Sequence, residues 1–309
     1  MTPAPAIATE THTPDILAET TCLLVRFHKT GLLRKGDMSL VHTETDKDRL
    51  RLRKEIIKSD SYDHMMLIAR DCRRYIKARE LPSPFGQGSH LIARDLVEEI
   101  DAKVSNAIGG YNNWANQFVA EYPTKKEEAR ASLKDQFLER NYYDSMDSLR
   151  SMFWIERHWF DFSPSSSSKV GDVIADREHQ RSADETKDLY NKVKAALRVS
   201  LKKLTSHLVG RLTPGPDGTR KQFAASTIDK VVEWLQIFSK RNVANDQELA
   251  MLANKAQGIL EGVSIAELKT DADLAATVAT QMGEVDQLLG KLVQDCDSRA
   301  LALEDDEDE

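Results

Sequence analysis

Four cations, Arg70, Arg73, Arg74 and Lys77, recur at helical spacing in one segment, and Arg49, Arg51, Arg53 and Lys54 lie just upstream. A helix presenting guanidinium and ammonium groups along one side can track a phosphate backbone, which makes this region a candidate nucleic-acid surface. The same charges also suit the solvated face of an amphipathic helix, where charged residues ordinarily sit. From Cys22 to Arg79 there are fifteen Lys or Arg against eight Asp or Glu, a local excess of +7. Residues 304–309 are all acidic and account for six of the seven net negative charges of the chain. Such a tail is expected to be disordered, because adjacent like charges repel and have nothing to bury. It could occupy the basic patch and lower non-specific binding.

The second constellation is aromatic. FWIERHWFDF places five of the twenty aromatic residues within ten positions. Trp154, Trp159 and Phe160 are therefore candidate partner-binding residues, since buried aromatic anchors carry much of the energy of protein interfaces. A base-stacking platform would use the same residue types. The plainer reading, in which these rings anchor a connecting strand to a helical core, is the one favoured.

Other chemistry is thinly represented. The chain has no P-loop, His-Glu-x-x-His, Gly-x-Ser-x-Gly or kinase signature. Gly86-Gln87-Gly88 has neither the preceding strand nor the following lysine that phosphate binding requires. His28, His42, His64, His90, His158, His179 and His207 are isolated from one another along the chain. Glu156 and His158 would point the same way on a strand, and Glu178 adjoins His179, but two ligands fall short of a metal site. Neither a metal nor a cofactor is expected, and the chain is read as non-enzymatic. Cys22, Cys72 and Cys296 are few, odd in number and far apart, which fits a reducing compartment. The first residues lack a signal peptide's basic and apolar regions, and no apolar run is long enough to span a membrane. A cytoplasmic protein is expected.

These residues must be positioned by helices. Charged residues make up 30% of the chain and aromatics 6%, a balance that favours amphipathic helices. TCLLVRFHKTGLLRKGDMSLV reads as a short hairpin turning at Lys29-Thr30-Gly31. Asp46 is placed to cap a basic helix carrying Leu50, Leu52, Ile56 and Ile57. A second helix is expected from Asp60 to Arg79, with Met65, Ile68, Ala69, Cys72 and Ile76 on its apolar side. An apolar stripe from Ile92 to Tyr122 predicts a rod capped by Ser89 and stopped by Tyr122-Pro123. Thr124 and Glu127 then match a capping box for a helix running through Phe137 and Leu138. Beyond the serines of 163–169, four further stripes begin at Leu189, Ile228, Leu249 and Val278, with a turn at 213–219. The last stripe, Val278, Met282, Val285, Leu289, Leu292 and Cys296, steps by fours and threes like a short coiled-coil seam.

The N-terminal half resembles a protein family of phages and prophages. The resemblance covers residues 16–162 and is carried by LLVRFHKTGL, LPSPFGQGSHLIARDL, the long helix ending in FVAEYP, EEARASLKDQFLERNYYDSMDSL, and the aromatic strand that follows. Members of that family tend to be encoded beside a MoxR-type AAA ATPase and a von Willebrand A domain protein. The resemblance implies an adaptor for an ATP-driven remodelling machine and brings no catalytic residues with it.

The expected object is mainly α: a long-helix bundle with a small N-terminal β element and short, coiled-coil-like C-terminal helices. It divides into a disordered arm (1–15), an N-terminal helical domain (16–162), a Ser-rich linker (163–169), a C-terminal bundle (170–300) and an acidic tail (301–309). The expected function is that of a phage-encoded adaptor in the host cytoplasm that docks a protein partner, such as an AAA ATPase or a von Willebrand A domain protein. Nucleic-acid binding is the alternative, and homo-oligomerisation is compatible with either.

Overall fold

The computed structural model describes residues 16, 18–83, 88–160, 172–215 and 224–294, with 172–185 described by their backbone alone. The arm, the Ser-rich linker, Cys296 and the acidic tail lie outside the described residues, as does most of the turn at 213–219. The fold is mainly α with a small N-terminal sheet.

The apolar run Thr20–His28 forms strand β1, and its partners are distant in sequence. β1 is the middle strand of an antiparallel sheet, flanked by β4 (Ser89–Ala93) and β5 (Trp154–Phe160). The register pairs Cys22 with Leu91 on one side and with Phe160 on the other. The expected hairpin at Lys29-Thr30-Gly31 is therefore corrected. The second apolar run gives only β2 (Leu33–Lys35), which pairs with β3 (Arg53–Glu55). β5 takes one edge of β1 from Cys22 to His28 and β4 the other from Thr20 to Leu24, while the run that follows is taken up by β3.

The expected helix after Asp46 is also corrected. Asp46 caps a single 3-10 turn, Lys47–Arg49, and the chain then extends into β3. Ile56 and Ile57 are adjacent and both buried.

Helix α1 (Asp60–Lys77) begins where Ser59 accepts a hydrogen bond from the Tyr62 amide at 3.1 Å. Met65, Ala69, Cys72 and Ile76 are buried at steps of four, three and four, as the pattern predicts. Helix α2 (Val97–Leu133) packs along it. The two approach closely at Gly110, where an added Cβ would lie 3.1 Å from Ile68 Cδ1.

Both expected ends of the long rod are corrected. Ser89 and Ile92 belong to β4, and the helix follows a 3-10 turn at Arg94–Leu96 without a side-chain cap. Pro123 lies inside α2, and Thr124 and Glu127 continue the same helix. Tertiary anchors outweigh the local cost of proline here. The Tyr122 hydroxyl accepts the Tyr143 amide at 3.1 Å, Ala129 is buried, Lys126 pairs with Glu139 and Asp144, and Arg130 pairs with Glu139 at 2.8 Å. The helix ends at Lys134, whose φ of 44° breaks the winding. Phe137 and Leu138 therefore lie beyond it, in turns that precede α3 (Met146–Arg150).

The remainder is α4 (Asp172–Leu212), α5 (Ala225–Arg241), α6 (Gln247–Leu260), α7 (Ile265–Thr270) and α8 (Ala272–Gln294). The seam of α8 buries Val278, Met282, Val285 and Leu289. Both α4 and α6 pack on α8, so the seam serves a bundle rather than a paired coil.

A buried ion pair ties this bundle together. Arg198 of α4 makes a two-pronged contact with Asp246 at 2.6 and 3.0 Å and donates to the Leu292 carbonyl of α8 at 3.1 Å. Asp246 is also the cap of α6, accepting from the Leu249 amide at 3.2 Å. Burial pushes its carboxyl upward, but the hydrogen bonds from Arg198 and Leu249 outweigh it and hold the group below the usual range.

The bundle also meets the N-terminal part through α5. Arg79 pairs with Glu99 of α2 at 3.0 Å and with Glu233 of α5 at 2.9 Å, and it stacks over the Tyr75 ring. Arg241 donates to the Glu80 carbonyl at 2.8 Å, and burial lowers its guanidinium to about 10. Cys22 and Cys72 are free and buried, and burial raises both thiols.

Replacing Arg198 with Met leaves the buried Asp246 charge with only Lys194, at 3.9 Å, as an ion-pair partner and is expected to cost about 3–5 kcal/mol in denaturant unfolding. Adding Asp246→Leu to that variant should recover much of the loss. A single-variant loss below about 1 kcal/mol would contradict this assignment.

Candidate functional site: the open edge of the sheet

From Leu23 onward, alternation along β1 gives the sheet two unlike faces. Residues of one parity, among them Leu23 and Val25, are buried, and Phe27 on the same side lies under the Arg73 guanidinium of α1 at 4.3 Å. On the same face of β5, Arg157 pairs with Asp101 of α2 at 2.9 Å and donates to Ser105 Oγ at 2.6 Å. Trp159 donates its indole N–H to Asp101 Oδ1 at 2.7 Å. Of the three aromatic residues singled out in the sequence, Trp159 thus anchors the strand to α2, the plainer role considered for this segment.

The other two lie on the opposite face and are open. Trp154 is 43% exposed and Phe160 is 50% exposed. Among the described residues no strand pairs with the outer edge of β5, so its outward amides and carbonyls are available. Between the two rings sits a charged cluster that sequence spacing alone does not reveal. Glu156 lies opposite Arg26, and its carboxylate meets Arg26 at 3.6 Å, His28 at 3.4 Å and His158 at 3.1 Å. His28 stacks flat on Trp154, with ring centroids 3.7 Å apart and planes 1° from parallel. His28 and His158 are therefore not isolated, because antiparallel pairing brings residues 130 positions apart onto one carboxylate. The Glu156–His158 alternation was legible; the contribution of β1 needed the register. The hydrogen bond from His158, with that from His28, holds the Glu156 carboxyl below its ordinary range despite partial desolvation.

The cluster does not amount to a metal centre. Among the described residues no group of three or more His, Cys, Asp or Glu is arranged to hold an ion. Nor is any described helix long and apolar enough to cross a membrane.

The eight cations of the basic region are not brought together. Arg70, Arg73, Arg74 and Lys77 project from the exposed side of α1, where Arg74 pairs with Asp71 at 3.0 Å and Arg73 covers Phe27. Arg49 pairs with Asp46 at 3.6 Å. Lys54 is buried and donates to the Gln136 carbonyl. Arg51 and Arg53 are exposed and line a separate groove that none of the α1 cations reaches.

The fold and site thus define an α-rich protein carrying a three-stranded sheet whose β5 edge has no strand partner among the described residues, with an exposed aromatic pair beside it. Comparison with protein-family models, curated proteins and solved structures finds no match.

The lowered Glu156 carboxyl has a measurable consequence. A carboxylate with a depressed folded-state pKa stabilises the fold above its unfolded pKa, and that contribution is lost as pH falls through the folded value. Glu156→Gln is therefore expected to melt below the parent near pH ~7 and to converge with it near pH ~3. An equal deficit at both values would show that the cluster acts by shape rather than by charge.

Proposed function

We propose that this chain is a non-enzymatic interaction protein whose docking element is the open edge of β5. The observation that carries the reading is the pairing of a strand edge that no described strand fills with two exposed aromatic rings on one face. A partner segment laid antiparallel or parallel to β5 would gain main-chain hydrogen bonds, with affinity from the backbone and specificity from alternate side chains. Trp154 and Phe160 bracket Glu156 and His158 on that face, so the matching segment carries apolar residues at its ends and polar residues between them. The adaptor role beside a MoxR-type AAA ATPase or a von Willebrand A domain protein, in a phage-infected host cytoplasm, is part of this proposal and rests on the sequence resemblance.

The nucleic-acid reading has less support. Two of its eight cations are engaged with acidic neighbours on their own turn, one is stacked on a ring, and one is buried.

Affinity capture with the full chain tests the proposal. The double variant Trp154→Ala/Phe160→Ala is expected to lose its captured partner by about tenfold or more, with the circular dichroism spectrum and melting temperature close to those of the parent. Undiminished capture by that variant would refute the docking role of this face.

A further inference from the structure

A second surface of the N-terminal part is built from different residues, and cations dominate it. Between the β2–β3 pair and the turns after α2 lies a groove of about 1140 Å³. Arg34, Lys35, Lys47, Arg51, Arg53 and Arg140 line it, against only Asp37 and Asp48. Among the described residues, no carboxylate oxygen lies within 4.0 Å of a charged nitrogen of Lys35, Lys47, Arg51, Arg53 or Arg140. Asp37 is engaged locally, accepting from the Ser39 amide at 2.9 Å and from its hydroxyl at 2.7 Å.

The walls are held rather than loose. The Gly36 amide donates to the Leu52 carbonyl at 2.9 Å, and a Cβ on Gly36 would lie 2.5 Å from Leu52 Cδ2. The Gln136 side chain bridges from the other wall, accepting from the Asp37 amide at 2.9 Å and donating to the Asp37 carbonyl at 2.8 Å.

The apolar part of the lining decides the ligand class. Leu33 is 57% exposed, and Leu50 and Leu138 are also exposed here. No aromatic side chain lines the groove. Single-stranded nucleic acid is usually gripped by stacking its bases on aromatic rings, whereas aliphatic rims beside cations suit an acidic peptide that also carries leucine. The chain contains such a segment: residues 301–309 read LALEDDEDE, two leucines followed by six carboxylates.

We propose that this groove binds residues 301–309 of the same molecule, with carboxylates among the groove cations and leucines against its aliphatic rim. The contact covers this basic groove and holds it in a masked state that a competing polyanion would have to displace. It is independent of docking at β5.

Zero-length carbodiimide crosslinking of the full chain, which joins an ammonium to a carboxylate, tests this directly. Lys35 or Lys47 is expected to link to a carboxylate within 304–309 in the monomeric product. The link should disappear at about 0.5 M salt, where the Debye length falls to a few Å, and in Arg51→Glu/Arg140→Glu. It should persist in Trp154→Ala/Phe160→Ala. Should the charge-reversed pair misfold by circular dichroism, Arg51→Gln/Arg140→Gln gives the same reading. Absence of the link, its spread over lysines outside the groove, or its confinement to a crosslinked dimer would overturn the proposal. So would a labelled oligonucleotide that binds the full chain and is lost in the charge-reversed variant while no such link forms.

Discussion

The sheet depends on the burial of one face of β1. Leu23 and Val25 are inaccessible, and the strand's backbone is bonded on both sides, to β4 and to β5. Fully burying a side chain of that size is worth about 1.5–3 kcal/mol, and shifting the register by one residue would place Arg26 and His28 in the core instead. That constraint fixes β5 as well. Trp159 and Arg157 must face α2, where both meet Asp101, and so Trp154, Glu156, His158 and Phe160 must face away. The open aromatic face thus follows from the packing of the opposite one.

Much of the helical part was legible in the sequence. α1 and the apolar stripes of α4, α5, α6 and α8 follow a 3.6-residue period because each buries one side against its neighbours. Pairings between distant segments were not legible. The run TCLLVRFH looks like the first arm of a hairpin, yet its partners lie roughly 70 and 135 residues further on, and local spacing carries no trace of them. Pro123 misleads for a related reason. Its local preference is outvoted by Tyr143, Glu139 and Asp144, which hold the last turns of α2 from outside the helix.

The candidate site shows the same division. Composition alone draws attention to FWIERHWFDF, but only the two-faced strand separates Trp159, an anchor, from Trp154 and Phe160, which remain exposed. The basic residues behave similarly. They read as one surface along the chain, while folding distributes them between α1, a buried contact at Lys54 and the groove beside β2 and β3. The N-terminal part therefore presents two chemically distinct surfaces, one aromatic with a central carboxylate and one cationic with an aliphatic rim.

Residue-resolved amide hydrogen exchange on the isolated full chain reports on the open edge most directly. Amides of β1 from Cys22 to Leu24, where both neighbours are paired, should be uniformly slow, while in β5 every second amide from Ile155 to Phe160 should exchange quickly because it points away from β1. Uniform protection along β5 would mean that its outer edge is already paired, and the docking surface described above would not exist.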